Sequence, residues 1–201
     1  MAGRVFFNGR DITGSAPYRI ARLGVSRTFQ TPSLFMRMSA LENVMLGRHC
    51  RTRCGAWSAA LGLRSQRLEE EAIRAAAADH LAFVGLASAA ARPVAALSFG
   101  QRRMVELARA LATDPQVLLL DEPASGLNTK ETEDLAGLIR RIRDRGITVL
   151  LVEHDMSLVM DISDEILVLN HGTPIAEGTP AAVRNDARVV AVYLGGDPNH
   201  A

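Results

Sequence analysis

The sequence predicts an α/β fold built on a parallel core sheet, and three observations lead there. Val117-Leu118-Leu119-Leu120 is an unbroken apolar run, the pattern of a strand buried on both faces of a parallel sheet. Residues 147–152, apolar except for Thr148, are expected as the next buried strand. Between them Leu135, Leu138, Ile139 and Ile142 fall at i, i+3, i+4 and i+7, the spacing of a helix with one apolar face. Strand, helix and strand at this spacing make a right-handed βαβ unit.

The remaining elements follow in order. Residues 4–9 read as a short strand ending in the Asn8-Gly9 turn. Residues 17–23 make one or two helical turns closed by Gly24, and 25–29 form a strand. A helix is expected over 40–46 and a linker over 50–62. A longer helix over 65–84, rich in Ala and Glu, stops at Gly85. Ser98 and Gln101 have capping-box spacing ahead of a helix with Val105, Ala108 and Leu111 on its apolar side; Asn128 and Glu131 repeat that spacing ahead of the next. Gly146 ends that second helix. Residues 165–169 form a strand that turns through Asn170-His171-Gly172 into 173–177. Two short helices, over 180–185 and 188–193, finish the chain.

A formal net charge of +1 argues against nucleic-acid binding through bulk electrostatics. No apolar run approaches the roughly 20 residues that span a bilayer, and no signal peptide opens the sequence. These features predict a cytosolic chain whose membrane role, if any, runs through a partner. Cys50 and Cys54 flank basic residues that repel a cation, so two reduced thiols are a better reading than a zinc site.

The chemistry concentrates at strand ends. Asp121 and Glu122 close the first apolar run, at the sheet edge where open α/β folds bind ligands. Asp121 there can hold Mg²⁺, directly or through water, and Glu122 can orient and deprotonate an attacking water. Alternatively, both acids cap the following turn. Leu97-Ser98-Phe99-Gly100-Gln101 opens a helix whose exposed N–H groups form an anion site, with Gly100 allowing close approach; a well-capped amphipathic helix accounts for the same residues. Glu153-His154-Asp155 follows the second run at the same edge, and His154 can donate to a transferring phosphoryl group. Gln30, at the end of the 25–29 strand, can reach a metal or a water there, or be an ordinary loop glutamine.

The order Gln30, Leu97-Ser98-Phe99-Gly100-Gln101, Leu119-Leu120-Asp121-Glu122-Pro123, Ser125-Gly126-Leu127-Asn128 and Val152-Glu153-His154-Asp155 resembles an ATP-binding-cassette (ABC) nucleotide-binding subunit. These segments match that family's Q-loop, signature, Walker B, D-loop and switch histidine. A narrower similarity, to the ATPases of branched-chain amino-acid importers, rests on several segments. They are Ser26-Arg27-Thr28-Phe29-Gln30, the Arg-rich insertion over 47–64, Glu122-Pro123-Ala124-Ser125-Gly126-Leu127-Asn128, Ala176-Glu177-Gly178-Thr179-Pro180 and Ala191-Val192-Tyr193-Leu194-Gly195. Urea and short-chain amide importer ATPases share much of this. The insertion and the Arg-Thr-Phe-Gln run favour the amino-acid importer.

The resemblance implies a P-loop NTPase-like parallel sheet flanked by helices. It further implies one nucleotide-binding domain over 1–201, with a helical signature subdomain over 39–112 and a Walker B and switch-histidine core with the tail over 113–201. ATP and Mg²⁺ are the implied cofactors. Glu122 would be the catalytic base and His154 the residue steadying γ-phosphate. Asp121 and Gln30 would attend the Mg²⁺, and Ser98, Gly100, Gln101 and Asn128 would serve the nucleotide. A second ABC ATPase subunit, head to tail, and transmembrane permease subunits are the implied partners. They would place the chain on the inner face of the plasma membrane, touching neither nucleic acid nor cargo.

No Gly-x4-Gly-Lys-Ser/Thr occurs in the 201 residues. The resemblance therefore implies a start after the P-loop strand and helix, which would leave neighbouring strands with unpaired edges. Two expectations of different class follow. One is an ATPase subunit of an importer; the other is a non-hydrolytic module that lends its signature to a complete partner cassette. A chromosome- or repair-type ATPase is disfavoured, because the segment between Gln30 and Leu97 is too short for a long coiled coil.

Overall fold

A computed structural model describes residues 3–28, 33–48 and 64–194. Gln30, Cys50, Cys54 and the 50–62 linker lie outside the described residues. The chain opens with a hairpin of β1 (Phe6–Phe7) and β2 (Arg10–Asp11), paired Phe6 with Asp11 and Phe7 with Arg10. Its turn needs positive φ at both central residues, and Asn8 (48°) and Gly9 (75°) supply it. Helix α1 (Pro17–Arg22) starts at a proline, whose missing N–H costs nothing at that position, and leads into β3 (Val25–Arg27).

The central sheet has the order β3-β4-β5, with β4 spanning Val117–Asp121 and β5 Thr148–Val152. All its pairings are parallel. Between β4 and β5 runs α5 (Thr129–Asp144), which packs Leu135, Leu138, Ile139 and Ile142 into the main core. Helices α2 (Ala40–Arg48), α3 (Arg64–Phe83) and α4 (Phe99–Leu111) pack together on the same core through Val44, Ala77, Leu81, Val105, Ala108 and Leu111. Leu118 and Leu120 of β4 reach it from the sheet and are almost wholly buried. Truncating either to alanine would cost about 2–5 kcal/mol, the usual range for such cavities.

A second, smaller cluster lies under the final hairpin of β6 (Ile166–Asn170) and β7 (Thr173–Gly178). It holds Ile166, Val168, Ala176, Val183 and Val189, the last two from α7 (Pro180–Arg184) and α8 (Ala187–Val189). The chain continues through one wider turn, Val190–Leu194, where the Tyr193 hydroxyl donates to the Leu169 carbonyl at 2.6 Å. Helix α6 (Met156–Ile162) bridges the two parts, and Arg140 and Arg143 of α5 pair with Asp161 and Asp164 around it.

One expectation is corrected. Residues 147–152 read as a strand buried on both faces, yet Leu150 is 58% and Val152 56% exposed, while Val149 and Leu151 are half-buried. Among the described residues β5 pairs only with β4, and β6 only with β7, where Leu167 and Leu169 are likewise exposed. An apolar run reports that a strand is apolar on both faces. It does not report that both faces are covered.

Half-burial of His80 in α3 sets a pH dependence. Burial lowers its pKa below the ordinary 6.5, against an opposing pull from Asp114. The neutral ring is therefore favoured in the folded chain. Its contribution to stability is present above the unfolded value and is lost as pH falls through and below it. The urea midpoint should drop between about pH 7 and pH 5, and His80→Gln should flatten that drop, as denaturation curves across the range would read.

Candidate functional site at the carboxyl edge of the sheet

Parallel pairing sets the site. Asp121 stands level with Val152 across the β4–β5 ladder, so the two chain segments leave the sheet side by side. Glu122 follows in the left-handed region at φ 44°, a conformation few non-glycine residues adopt. Its N–H donates to the Val152 carbonyl at 2.9 Å, and its carbonyl accepts from the Ser125 N–H at 3.2 Å. The resulting turn directs the chain back towards the sheet edge through Pro123, Ala124 and Ser125.

On the neighbouring strand end, His154 presents a side chain 74% exposed, whereas Glu153 beside it is 1% exposed. Sequence reasoning passed over Glu153. Its Oε1 accepts from the Ala124 N–H at 2.9 Å and its Oε2 from the His154 N–H at 3.2 Å. Arg27, at the end of β3, was also missed as an individual group. Its guanidinium donates to Asp121 Oδ2 at 2.8 Å, so a cation already faces that carboxylate. Thr28, next to Arg27, is buried and donates its N–H to the Leu119 carbonyl.

The signature segment caps α4 as its spacing predicts. Ser98 Oγ accepts from the Gln101 N–H at 3.2 Å, and Gln101 Oε1 accepts from the Ser98 N–H at 3.1 Å. Asn128 and Glu131 make the same reciprocal cap on α5, both at 3.0 Å. The two helix starts touch. A Cβ on Gly100 would lie 2.4 Å from Glu131 Oε1, and one on Gly126 would lie 2.9 Å from the Phe99 ring. Gly126 also needs its positive φ of 78°. Gly100 thus has a reason within the chain for lacking a side chain. The Glu131 carboxylate also places negative charge at the positive end of α4, a favourable arrangement. A cleft of about 400 Å³ opens here, lined by Gly100, Gln101, Met104, Leu127, Glu131 and Arg141 among others.

The structure therefore brings Asp121, Glu122 and His154 to one sheet edge. Ser98, Gly100, Gln101 and Asn128 gather at the paired helix starts. Among the described residues no cluster of three or more His, Cys, Asp or Glu side chains could hold a metal ion. A hard divalent cation such as Mg²⁺ keeps several waters and is bound through one or two carboxylates together with substrate phosphates. The partly exposed Asp121 is a donor of that kind.

A parallel sheet with an acidic pair at one strand end, a histidine at the next, and a capped signature helix define a nucleotide-binding cassette. The family model for ABC transporters matches residues 1–125, and the chain belongs to that family, whose ATPase members hydrolyse ATP. A model described as the branched-chain amino acid ATP-binding cassette transporter matches residues 173–198. The chain is 43% identical to the high-affinity branched-chain amino acid transport ATP-binding protein BraF of Pseudomonas aeruginosa, covering 96% of this chain and 76% of that one. It is 42% identical to LivG of Escherichia coli over the same shares. Among solved structures it is similar to MJ1267, an ATP-binding cassette of an ABC transporter in its ADP conformation. There the TM-score is 0.79 and the identity 33%, covering 97% of this chain and 78% of that one.

Gly100→Ala should force the Glu131 side chain off its cap and destabilise the chain by about 1 kcal/mol, the usual value of such a cap. In a Glu131→Ala background the same substitution should cost less. Denaturation curves of the two single variants and the double variant measure this coupling.

Proposed function

We propose that the chain is the ATP-hydrolysing subunit that energises an ABC importer of branched-chain amino acids. The observation that carries this reading is the juxtaposition of Asp121-Glu122 and His154 on paired parallel strand ends, with the positive φ of Glu122 aiming the turn. The transport class rests on the names of the relatives BraF and LivG and on the model matching residues 173–198.

In this reading Glu122 accepts the proton of the water that attacks the γ-phosphate, and its turn holds it at the sheet edge. Asp121 would hold Mg²⁺, directly or through water, once Arg27 releases it. The bound cation supplies charge neutralisation of the phosphates. Gln30, outside the described residues, is assigned to the same cation by its place after β3. His154, exposed and anchored by its backbone N–H on Glu153, donates to the γ-phosphate.

Ser98, Gly100 and Gln101 face nucleotide held by a second subunit. Ser98 Oγ already accepts from Gln101, which leaves its hydroxyl proton available to a phosphate oxygen. Asn128, at the start of α5, lies next to the same surface. Pairing with a second cassette accords with the dimeric post-hydrolysis structure of MJ0796 bound to ADP and Pi. This chain is similar to it at 25% identity with a TM-score of 0.73, covering 89% of this chain and 74% of that one. No helix among the described residues is long and apolar enough to cross a membrane, so permease subunits would supply the membrane path and hold the chain at the inner face.

A second reading rests on the signature cap of α4, which is complete within the chain. Here the chain is a non-hydrolytic module that lends Ser98, Gly100 and Gln101 to a complete partner cassette. Turnover of the assembled transporter separates the readings: loss in both Glu122→Gln and Ser98→Ala supports the first, and loss in Ser98→Ala alone supports the second.

In the chain assembled with its permease and partner cassette, Glu122→Gln should retain nucleotide binding and lose turnover by about 100-fold or more, the usual worth of a positioned base. Phosphate release beside nucleotide titration measures both. Turnover at the unsubstituted rate would refute the assignment of Glu122.

A further inference from the structure

Glu153 is a buried acid for which the chemistry above has no direct use. Its side chain is 1% exposed, so it touches neither solvent nor a bound nucleotide. A carboxylate in that position is costly unless it is hydrogen-bonded, and both of its oxygens are engaged. Oε1 accepts from the N–H of Ala124, two residues beyond Glu122; Oε2 accepts from the N–H of His154. His154 Nδ1 lies 3.7 Å from the same Oε2.

These contacts join two segments that are also tied past the ladder by a backbone bond, Glu122 N–H to the Val152 carbonyl. The left-handed backbone at Glu122 is strained by about 1–3 kcal/mol for a side-chain-bearing residue and persists only where its surroundings hold it. On the far side of that strained residue the Ala124 N–H bond to Glu153 is a constraint beside the turn bond from Ser125 N–H to the Glu122 carbonyl. It closes a loop that runs from β4 through Glu122 to Ala124, across to Glu153, and back along β5.

We propose that Glu153 is a positioning residue, whose buried carboxylate locks the Glu122 turn to the switch segment so that Glu122 and His154 are set as one unit. This rests on the assignment of Glu122 and His154 given above. Glu153 acts through the backbone of Ala124 and His154 and takes no proton from the reaction. Gln keeps a carbonyl oxygen for the Ala124 N–H but turns a donor-only NH₂ to the His154 N–H, and Ala keeps no acceptor for either.

Two measurements test this. Amide hydrogen exchange on the 201-residue chain reads the lock itself. Glu153→Ala should speed exchange at Ala124 by about tenfold or more while Leu118 and Leu120 change less than about twofold, and Glu153→Gln should restore Ala124. Unchanged Ala124 exchange in Glu153→Ala overturns the proposal. So does an equal loss at Leu118 and Leu120, which would make Glu153 a general stabiliser. In the assembled transporter Glu153→Ala should lower kcat by about tenfold with nucleotide affinity retained, and Glu153→Gln, which holds only the Ala124 side, should recover part of it. A Glu153→Ala kcat equal to the unsubstituted rate overturns the proposal. An unsubstituted complex that hydrolyses no ATP overturns the functional reading instead, and the exchange measurement still decides the lock.

Discussion

The parallel register of β4 against β5 is the constraint from which the site follows. Val117 pairs with Thr148 and Asp121 with Val152, five residues each, so both strands end at the same level. Shifting that register by one residue would turn each side chain of β5 to the opposite face and carry the Glu153-His154 segment out of step with the Asp121-Glu122 turn. The apolar side chains of α5 hold the crossover that makes the register possible, and Leu118 and Leu120 fix β4 in the core. The geometry of the candidate site is an outcome of core packing, transmitted through two strand ends.

The second organising contact is the meeting of two helix starts. Each of α4 and α5 satisfies its own first N–H groups by a reciprocal cap, and the Glu131 carboxylate of one cap lies against Gly100 of the other. The Phe99 ring against Gly126 closes the other side of this contact. The signature segment is thereby attached to the turn that follows the acidic pair, within one chain. A displacement of α4 relative to the sheet has to be accommodated at Gly100 and Gly126, where there is no side chain to yield.

What could be read from sequence, and what could not, divides by range. Both capping boxes were legible because Ser98 and Gln101, like Asn128 and Glu131, sit three residues apart, and such caps form wherever the helix does. The Asn8-Gly9 turn and the helix over 129–144 were legible for the same local reason. The Ala124–Glu153 bond spans 29 residues and the Arg27–Asp121 pair 94, and neither leaves a pattern in the intervening chain. Glu153 was hidden also by its type, because an acid beside a histidine at a strand end is expected in water. The exposure of Leu150 and Val152 was missed because hydrophobicity records what a residue favours, whatever covers it in the fold.

On the role proposed for Glu122, its left-handed backbone sets stability and chemistry against each other at one position. Glycine is the residue that fits φ 44° without strain, so replacement of Glu122 by glycine removes a local cost along with the carboxylate. Enrichment of a variant library for thermal stability alone would therefore favour loss of the acid, and a consensus taken from such a library would be a firmer, inert protein. With Glu122 as the proposed base, activity would be kept by selection for turnover against a standing thermodynamic preference for its loss.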